Sequence, residues 1–345
     1  MTEPGRELPE LAIPKVVEAA LEMGAALTIS ISGGKDSQAL LRCLAALHRA
    51  REWPGPLIAL HADLGRAEWK ETPGHVEHLS NEAGVPLVVV RRRRGDLFAR
   101  FEERAATVAE SPVPWAPSAK QRYCTGNLKS GPLDTYLRTV QGTLFGPCDP
   151  DLRAHRLVIC ALGFRAQESR DRAARRVLSI RRSITSSHLR GEHLGEVLDH
   201  WRRFQGERRL AFDWNPLHRW SAKDIWHACG TSLEELTLRR RAYAAGFHRE
   251  ALDGWPAHPA YVFGMERLSC ALCVLASRND LLVGARHNPE ALDFIAGLEA
   301  RTGRTFRPEG FLREIVAAPQ GRAGSRLRRR ELSDSSQLNL LEAAL

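Results

Sequence analysis

The feature that most constrains this chain is the hexapeptide Ser-Gly-Gly-Lys-Asp-Ser at residues 32–37. It follows an apolar run at residues 26–31 and precedes a stretch with helical spacing at residues 38–44, an order that predicts a strand, a tight turn and a helix. Two adjacent glycines let the backbone turn sharply, so that consecutive N–H groups and the positive end of the helix point at one spot. Such a spot favours a phosphate group. The competing interpretation is an ordinary Gly-Gly turn with a serine cap.

The hexapeptide is not a Walker A loop, because that motif places four residues between its glycines whereas Gly33 and Gly34 are adjacent. It resembles the PP-loop of the ATP pyrophosphatases, enzymes that split ATP between the α and β phosphates. The resemblance implies that the backbone and side chains of this loop hold the departing pyrophosphate. The residues concerned are Ser32, Gly33, Gly34, Lys35, Asp36 and Ser37.

Further apolar runs at residues 57–63, 86–90, 156–163 and 211–217 alternate with polar stretches of helical character. Near-continuous apolar strands separated by amphipathic helices are typical of a parallel sheet covered on both faces. We therefore predict an α/β fold with a doubly wound, mostly parallel sheet. Ligands of such folds bind at the carboxyl ends of the strands, where the PP-loop and Asp63 both fall.

The 345 residues suffice for one large α/β domain with appendages. We expect a nucleotide-binding domain over residues 1–230, a mainly helical region over 231–318, and a basic, poorly ordered tail over 319–345. The proline-rich segment at residues 111–117 predicts a surface loop.

Composition favours a soluble protein, since 43% of residues are hydrophobic and 26% are charged. No apolar run approaches the roughly 18 to 20 residues of a membrane span, so we expect no membrane partner. Residues 1–15 carry acids and prolines where a signal peptide has a basic and then an apolar region, and we expect a cytoplasmic location. The net charge of +9 favours a polyanionic partner, although an arginine-rich composition also arises in GC-rich genomes.

Five separated segments occur in an order similar to that of the adenine nucleotide α-hydrolases of the phosphoadenosine phosphosulfate (PAPS) reductase type. Leu64 departs from this pattern, because it replaces the usual threonine of H-x-D-T-G. The segments are the PP-loop with its strand, HADLG at 61–65, RYCTGNLK at 122–129, GFRAQESRDR at 163–172 and NPLHRWSAKDIW at 215–226.

The resemblance implies a nucleotide site that extends beyond the PP-loop to other strand ends. ATP is the expected ligand, with Mg²⁺ held by Asp36 or Asp63 directly or through water. The additional nucleotide-binding residues implied are His61, Asp63, Gly163 and Arg165.

Attack on an α-phosphate requires that its charge be neutralised while pyrophosphate leaves. Lys35 and Arg165 are the candidates for phosphate contacts, the arginine because its planar guanidinium grips two oxygens. Asp36 and Glu168 complete the catalytic candidates that the resemblance implies. In the competing interpretation Asp36 merely favours the helix N-terminus, and Glu168 merely pairs with Arg172 one helical turn away.

Seven cysteines are an odd number for a disulfide framework in a reducing compartment. Cys270 and Cys273 form a Cys-x-x-Cys motif that follows His-Pro-Ala-Tyr at 258–261. Together with Cys124, this pattern resembles that of the sulfurtransferases of the PAPS reductase-like family. These include the DNA phosphorothioation enzymes of the Dnd and Ssp type. The resemblance implies a [4Fe–4S] cluster on these three thiolates, with an open iron that carries sulfide. We therefore expect the three cysteines to converge.

A structural zinc is the alternative, completed by Cys124 and a histidine such as His258 or His287. Unliganded thiols are the third possibility.

The other cysteines stay outside the predicted site. Cys43 and Cys160 lie in apolar helix and strand patterns and are expected in the core. Cys148 and Cys229 have no partner in sequence, although either is a possible fourth ligand.

The favoured function is an ATP-consuming sulfurtransferase that adenylates an oxygen of a nucleic acid, DNA first, and replaces it with sulfur. A sulfonucleotide reductase is disfavoured because the 72 residues after Cys273 contain no thiol. An adenylating PP-loop ligase and a metal-stapled binding module are the remaining alternatives. Expected partners are a sulfur donor such as a cysteine desulfurase and further subunits of a modification complex.

Two arginine clusters are candidates for contacts with nucleic-acid phosphates. In the competing interpretation the first is a solvated strand end and the second a disordered tail. They are Arg91 to Arg94, and Arg326, Arg328, Arg329 and Arg330.

Overall fold

The computed structural model describes residues 7–143, 156–203 and 208–318. Six strands form one sheet in the order β3-β2-β1-β4-β6-β5. They are β1 (Ala26–Ser30), β2 (Leu57–Asp63), β3 (Leu87–Arg91), β4 (Leu157–Ala161), β5 (Leu178–Ile180) and β6 (Leu210–Trp214).

Strand β1 lies inside the sheet and pairs in parallel with β2 on one side and β4 on the other. Strands β3 and β6 continue the parallel arrangement outward, and β5 closes one edge as an antiparallel strand. The chain order therefore reverses between β1 and β4. This switch point is where an open α/β sheet leaves a crevice for a ligand beyond the carboxyl ends of its strands.

The helices that cover and extend the sheet are distributed along the whole described chain. They are α1 (Lys15–Glu22), α2 (Lys35–Ala50), α3 (Thr72–Ala83), α4 (Leu97–Thr107), α5 (Gly131–Thr143), α6 (Arg170–Ala173), α7 (Val197–Arg203), α8 (Ala222–Ala228), α9 (Leu233–Ala244), α10 (His248–Leu252), α11 (Arg278–His287), α12 (Pro289–Thr302) and α13 (Leu312–Ala317).

Alternate residues of the strands face opposite sides of the sheet, and both sides are covered. Leu27 and Ile29 of β1 pack with the apolar faces of α1, α2 and α3. Ala26 on the same strand packs on the other side with Val158 of β4 and Leu137 of α5. Burial on both faces explains why the strands lack a polar alternation. The prediction of a doubly wound, mostly parallel α/β fold is confirmed.

A second apolar cluster joins the C-terminal helices to α4. It corrects in part the prediction that residues 111–117 form a surface loop. Pro112 and Pro114 are exposed, whereas Trp115 is fully buried between Phe101 and Phe306. The Trp115 indole also donates a hydrogen bond to Thr302 Oγ1 at 3.1 Å. Trp115 therefore anchors this proline-rich connection to α12.

Among the described residues, no helix is both long and apolar enough to cross a bilayer. The predicted tail at 319–345, with its arginines, and Cys148 lie outside the described residues.

Candidate nucleotide and cysteine site

The PP-loop forms a closed turn between β1 and α2. Gly33 adopts a left-handed conformation (φ +74°), which a residue with a side chain rarely tolerates. Ser37 Oγ donates to the Gly34 carbonyl at 2.8 Å and accepts from the Ser32 backbone N–H at 3.1 Å. The exposed Ser32 and the first turn of α2 thus face the crevice at the switch point.

Two buried cations share one carboxylate at the start of α2. Lys35 Nζ lies 3.2 Å from Asp36 Oδ2, and the Arg165 guanidinium donates to Asp36 Oδ1. Burial alone would lower the pKa of Lys35, but Tyr261 and Asp36 outweigh it and raise that pKa above its ordinary value. Burial likewise opposes ionisation of Asp36, yet Lys35 and Arg165 keep its pKa below the usual range. Lys35 and Asp36 are therefore both charged at neutral pH.

Gly163 follows β4 and lies against the PP-loop. A side chain there would approach the backbone of Asp36 to 3.0 Å, so glycine is what lets this strand end pack on α2. Farther along, Glu168 accepts from the Arg165 backbone N–H at 3.1 Å and forms an ion pair with Arg172. The alternative noted from the sequence for Glu168, pairing one helical turn away, is present in the structure.

The two polar residues of β2 take different positions. His61 is buried, and its ring nitrogens lie 3.0 Å from the Ile31 carbonyl and 3.3 Å from Glu68. Asp63 ends the strand, where its oxygens accept from the Gly65 backbone N–H and from Arg91, both at 2.6 Å. Since the Arg91 side chain is 75% exposed and free to turn away, Asp63 fits the single carboxylate that Mg²⁺ commonly takes beside substrate phosphates.

Residues 258–261 complete the floor of the PP-loop, a role that the sequence did not reveal. The Tyr261 hydroxyl accepts from the Lys35 backbone N–H at 3.0 Å. A side chain at Gly33 would meet the His258 ring at 3.5 Å, and His258 itself is hydrogen-bonded to Thr72 Oγ1 at 3.1 Å. The signal was present as His-Pro-Ala-Tyr, but nothing in the sequence indicated which loop this segment would contact.

Two neutral histidines lie side by side beneath the turn. The rings of His75 and His258 are 5.3 Å apart in an edge-to-face arrangement. Burial lowers the pKa of His258 to about 3 and that of His75 to about 4. Both rings are therefore uncharged above about pH 5 and add no charge to the phosphate site.

These pKa values predict a loss of stability in mild acid. The unfolded chain protonates its histidines below the ordinary pKa of 6.5, whereas folded His258 stays neutral, so the free energy of unfolding falls as pH drops from 6.5 toward 3. At pH 5 the loss from His258 is about 2 kcal/mol. We expect the free energy of unfolding, measured with urea, to depend less on pH between 7 and 5 in His258→Gln than in the wild type. His193→Gln, at an exposed position, should keep the wild-type pH dependence. Equal slopes in all three proteins would contradict the assignment.

The Cys-x-x-Cys loop is attached to the same edge of the sheet. Leu268 lies 3.7 Å from the position that a side chain at Gly34 would occupy, which sets this loop against the PP-loop. The Ala271 backbone N–H donates to the Ala67 carbonyl, just beyond the end of β2, at 2.9 Å. The domain boundary expected at residue 230 separates the PP-loop from the Cys-x-x-Cys, whereas the structure joins the two loops.

Cys124 comes to the same neighbourhood from a π-helix at Thr125–Ser130, which packs on β2. Burial raises the pKa of Cys270 to about 12, and the nearby charges of Lys129, Cys273 and Cys124 also act on it. Cys124 and Cys270 pack on the same apolar cluster. The structure thus brings the three predicted thiols into one region, about one strand away from the PP-loop.

The spacing of the thiols bears on which metal group they fit. A single tetrahedral zinc holds thiolate sulfurs about 3.8 Å apart. Among the described residues, the trio of possible ligands with all atoms within 4.8 Å is Glu192, Glu196 and His200, so the three thiols are spread more widely than zinc requires. A four-iron cluster is larger than one ion and takes three thiolates with one iron open.

The two histidines of the zinc alternative have different partners in the structure, His258 through its ring nitrogens and His287 through its ring face. His258 uses both ring nitrogens, since Nδ1 accepts from the Ala260 backbone N–H at 3.1 Å and Nε2 bonds Thr72. The His287 ring stacks on Phe263 at 4.2 Å.

The remaining described cysteines are structural. Cys160 is buried in β4, and Cys43 packs partly buried on the core, as predicted. Cys229 donates from beneath the PP-loop to the Lys35 carbonyl at 3.2 Å, so it supports the nucleotide turn.

Helix α11 holds the cysteine loop through a close backbone approach. A side chain at Gly284 would lie 2.0 Å from the Ala271 carbonyl oxygen, which cannot be tolerated without displacing the loop. We expect Gly284→Ala to lower the free energy of unfolding by about 1–3 kcal/mol and to reduce iron content after anaerobic reconstitution. The matched control is Gly297→Ala in α12, where the nearest atom is 3.5 Å away on a flexible arginine. That variant should be stabilised by about 0.5–1 kcal/mol, and equal effects would contradict the close approach.

Comparison with protein-family models matches residues 26–243 to the phosphoadenosine phosphosulfate reductase domain. No curated protein matches the chain significantly. The matched range takes in the PP-loop, the polar strand ends and Cys124, whereas residues 258–273 lie beyond it.

Proposed function

Because the chain belongs to the phosphoadenosine phosphosulfate reductase domain family, whose PP-loop enzymes use nucleotides, we propose that it is an ATP pyrophosphatase-type sulfurtransferase. Its acceptor is a nucleic acid, and the reacting group is a phosphate oxygen of DNA. The observation that carries the proposal is the joint attachment of the PP-loop and the Cys-x-x-Cys loop to one edge of the sheet through residues 258–268.

The first step is adenylation of the acceptor. An acceptor oxygen attacks the α-phosphorus of ATP, the bond from that phosphorus to the oxygen bridging to the β-phosphate breaks, and pyrophosphate leaves. The PP-loop N–H groups, Lys35 and Arg165 offset the charge that builds on the leaving group. Asp36 holds both cations in place. Mg²⁺ on Asp63 would add to this neutralisation.

The second step replaces oxygen with sulfur. A [4Fe–4S] cluster on Cys124, Cys270 and Cys273 would supply hydrosulfide. A donor such as a cysteine desulfurase provides this sulfur as a persulfide, and two electrons from a thiol reductant convert it to hydrosulfide before the substitution. Hydrosulfide attacks the adenylated phosphorus, and AMP leaves with the former acceptor oxygen. No electrons are transferred in the substitution itself, since the sulfur enters and the oxygen leaves at the same oxidation state.

The test is an anaerobic reaction that contains ATP, oligonucleotide and sulfide. We expect pyrophosphate and AMP in equal amounts and phosphorothioate linkages detectable by mass spectrometry after nuclease digestion. Iron and acid-labile sulfide analysis of the purified protein should give about four of each per chain. Release of orthophosphate in place of pyrophosphate would refute the proposal.

A second candidate is favoured by the family match itself. Reduction of a sulfonucleotide would place a sulfated nucleotide in the same crevice, with its phosphate on the PP-loop. Release of sulfite from phosphoadenosine phosphosulfate with a thiol reductant, at a rate above that of adenylation, would select this candidate.

A further inference from the structure

Four consecutive arginines after β3 line a groove of about 1070 Å³. Its walls come from the end of β3, from α4 and from the start of α5. Glu103 is the single carboxylate among the lining residues, against five arginines, so the groove carries a strong positive charge. The groove residues used below are Arg91, Arg92, Arg93, Arg94, Arg100 and Tyr136.

The arginines of the groove differ in whether their side chains already have a partner in the protein. Arg92 pairs with Glu103, and Arg100 bonds Asn127. Arg93 and Arg94 are exposed, and neither forms an ion pair with any residue in the described ranges. Arg93 and Arg94 are therefore exposed in a basic groove without a direct ion-pair partner in the described ranges, although Glu103 lies close enough to Arg94 to interact with its charge. This is the arrangement expected of a site for an external anion.

The lining also includes an unsatisfied hydroxyl. Tyr136 Oη is buried yet has no hydrogen-bond partner among the described residues. Burial raises the pKa of this tyrosine, so the group stays protonated and able to donate. A phosphate or a base edge in the groove would accept that hydrogen bond.

The groove adjoins the candidate active site. Arg91 reaches from its rim to Asp63 at the end of β2, and the groove residues Gly126 and Asn127 follow Cys124 by two and three positions. Strand β3 is two strands from β1, and neighbouring strands lie about 4.8 Å apart, so the groove begins about 10 Å from the PP-loop. A chain lying in it would extend past both chemical centres.

We propose that this groove binds the sugar-phosphate backbone of a single-stranded nucleic acid and leads the acceptor to the active site. The proposal rests on the sulfurtransferase function above and names where its acceptor lies. The volume lies just above the range of about 300–1,000 Å³ that is usual for small-molecule pockets, which gives room for a few nucleotides. A basic groove with an aromatic side chain is the usual way in which proteins hold single strands.

The test is fluorescence anisotropy with a labelled single-stranded DNA of mixed sequence, without ATP. We expect Arg93→Gln combined with Arg94→Gln to weaken binding about 25-fold at 0.1 M salt and to reduce the log–log salt slope by about 1.4, two contacts at about 0.7 each. The matched control neutralises Arg241 and Arg249, which are also exposed and lie outside the groove lining. Tyr136→Phe should weaken binding severalfold without changing the salt slope.

Two further measurements separate this proposal from the proposed function. The groove variant should bind ATP with wild-type affinity in calorimetry, because its substitutions lie outside the PP-loop. If the wild-type protein binds the single strand but releases no pyrophosphate, the groove proposal is supported and the sulfurtransferase proposal is refuted. Equal weakening in the groove and control variants, tighter binding to duplex than to single strand, or no binding at low salt would overturn the groove proposal.

Discussion

Replacing Lys35 with methionine is expected to slow pyrophosphate release from ATP by about 10²- to 10³-fold, the usual effect of removing one preorganised group that stabilises developing charge. Methionine keeps the apolar stem that lies near the rings of Trp226 and Tyr261, with Nζ 5.8 Å and 5.5 Å from their centroids. Asp36 retains Arg165, so no buried carboxylate is left unpaired. The measurement is a coupled pyrophosphate assay with acceptor present, together with the melting temperature.

The matched control is Lys223→Met, at an exposed position in α8. It removes the same charge from the protein without touching the PP-loop, and we expect the wild-type rate. An undiminished rate in the Lys35 variant would remove this lysine from the mechanism. A rate that falls equally in both variants would point to the overall charge of the protein in place of the site.

Replacing Cys270 with serine is expected to abolish sulfur incorporation while leaving pyrophosphate release within about threefold of wild type. The reason is that adenylation uses the PP-loop cations, whereas sulfur delivery needs a thiolate that serine does not provide at neutral pH. The measurements are iron content, phosphorothioate linkages and pyrophosphate, all on one anaerobic preparation. Cys124→Ser should behave in the same way.

Cys43→Ala is the control for loss of a partly buried thiol, since Cys43 lies on α2 and packs on the core. We expect full iron content and normal sulfur incorporation from it. If the Cys270 and Cys124 variants retain iron and still thiolate the acceptor, the cysteine trio has no part in the reaction. If they lose pyrophosphate release as severely as sulfur incorporation, the two steps share one site more closely than proposed.

Much of the fold could be predicted because its strands are buried on both faces. The apolar runs at 57–63, 86–90, 156–163 and 211–217 correspond to β2, β3, β4 and β6 within about three residues. Strand β5 was missed because three residues at an antiparallel edge carry too short a pattern to recognise.

The error at residues 111–117 has a different cause. Prolines indicated a loop, and the backbone there is indeed irregular, but an irregular segment is exposed only when nothing large anchors it. Trp115 supplies that anchor and fills the space between α4 and the C-terminal helices. Proline content describes local backbone geometry, whereas burial here depends on helices nearly 200 residues away.

The candidate site was predictable as a set of residues but not as a set of contacts. The ion pairs of Asp36 with Lys35 and Arg165 join the PP-loop to a segment about 129 residues later in the chain. No local sequence pattern specifies such a contact. Tyr261 illustrates the limit further. Its hydroxyl contacts the Lys35 backbone across 226 residues of chain, and only the folded arrangement shows that it belongs to the nucleotide site.

The attachment of residues 258–268 to the PP-loop has a consequence for how this protein can be divided or recombined. The family match stops at residue 243, yet the Tyr261 and His258 contacts that support the nucleotide turn come after it. A fragment cut at that boundary would lack the residues that lie beneath its own PP-loop. In a chimera with the C-terminal helices of a relative, those helices would have to provide a tyrosine and a histidine that contact the PP-loop as Tyr261 and His258 do. The structural unit that supports the PP-loop therefore extends past residue 243, where the family match ends.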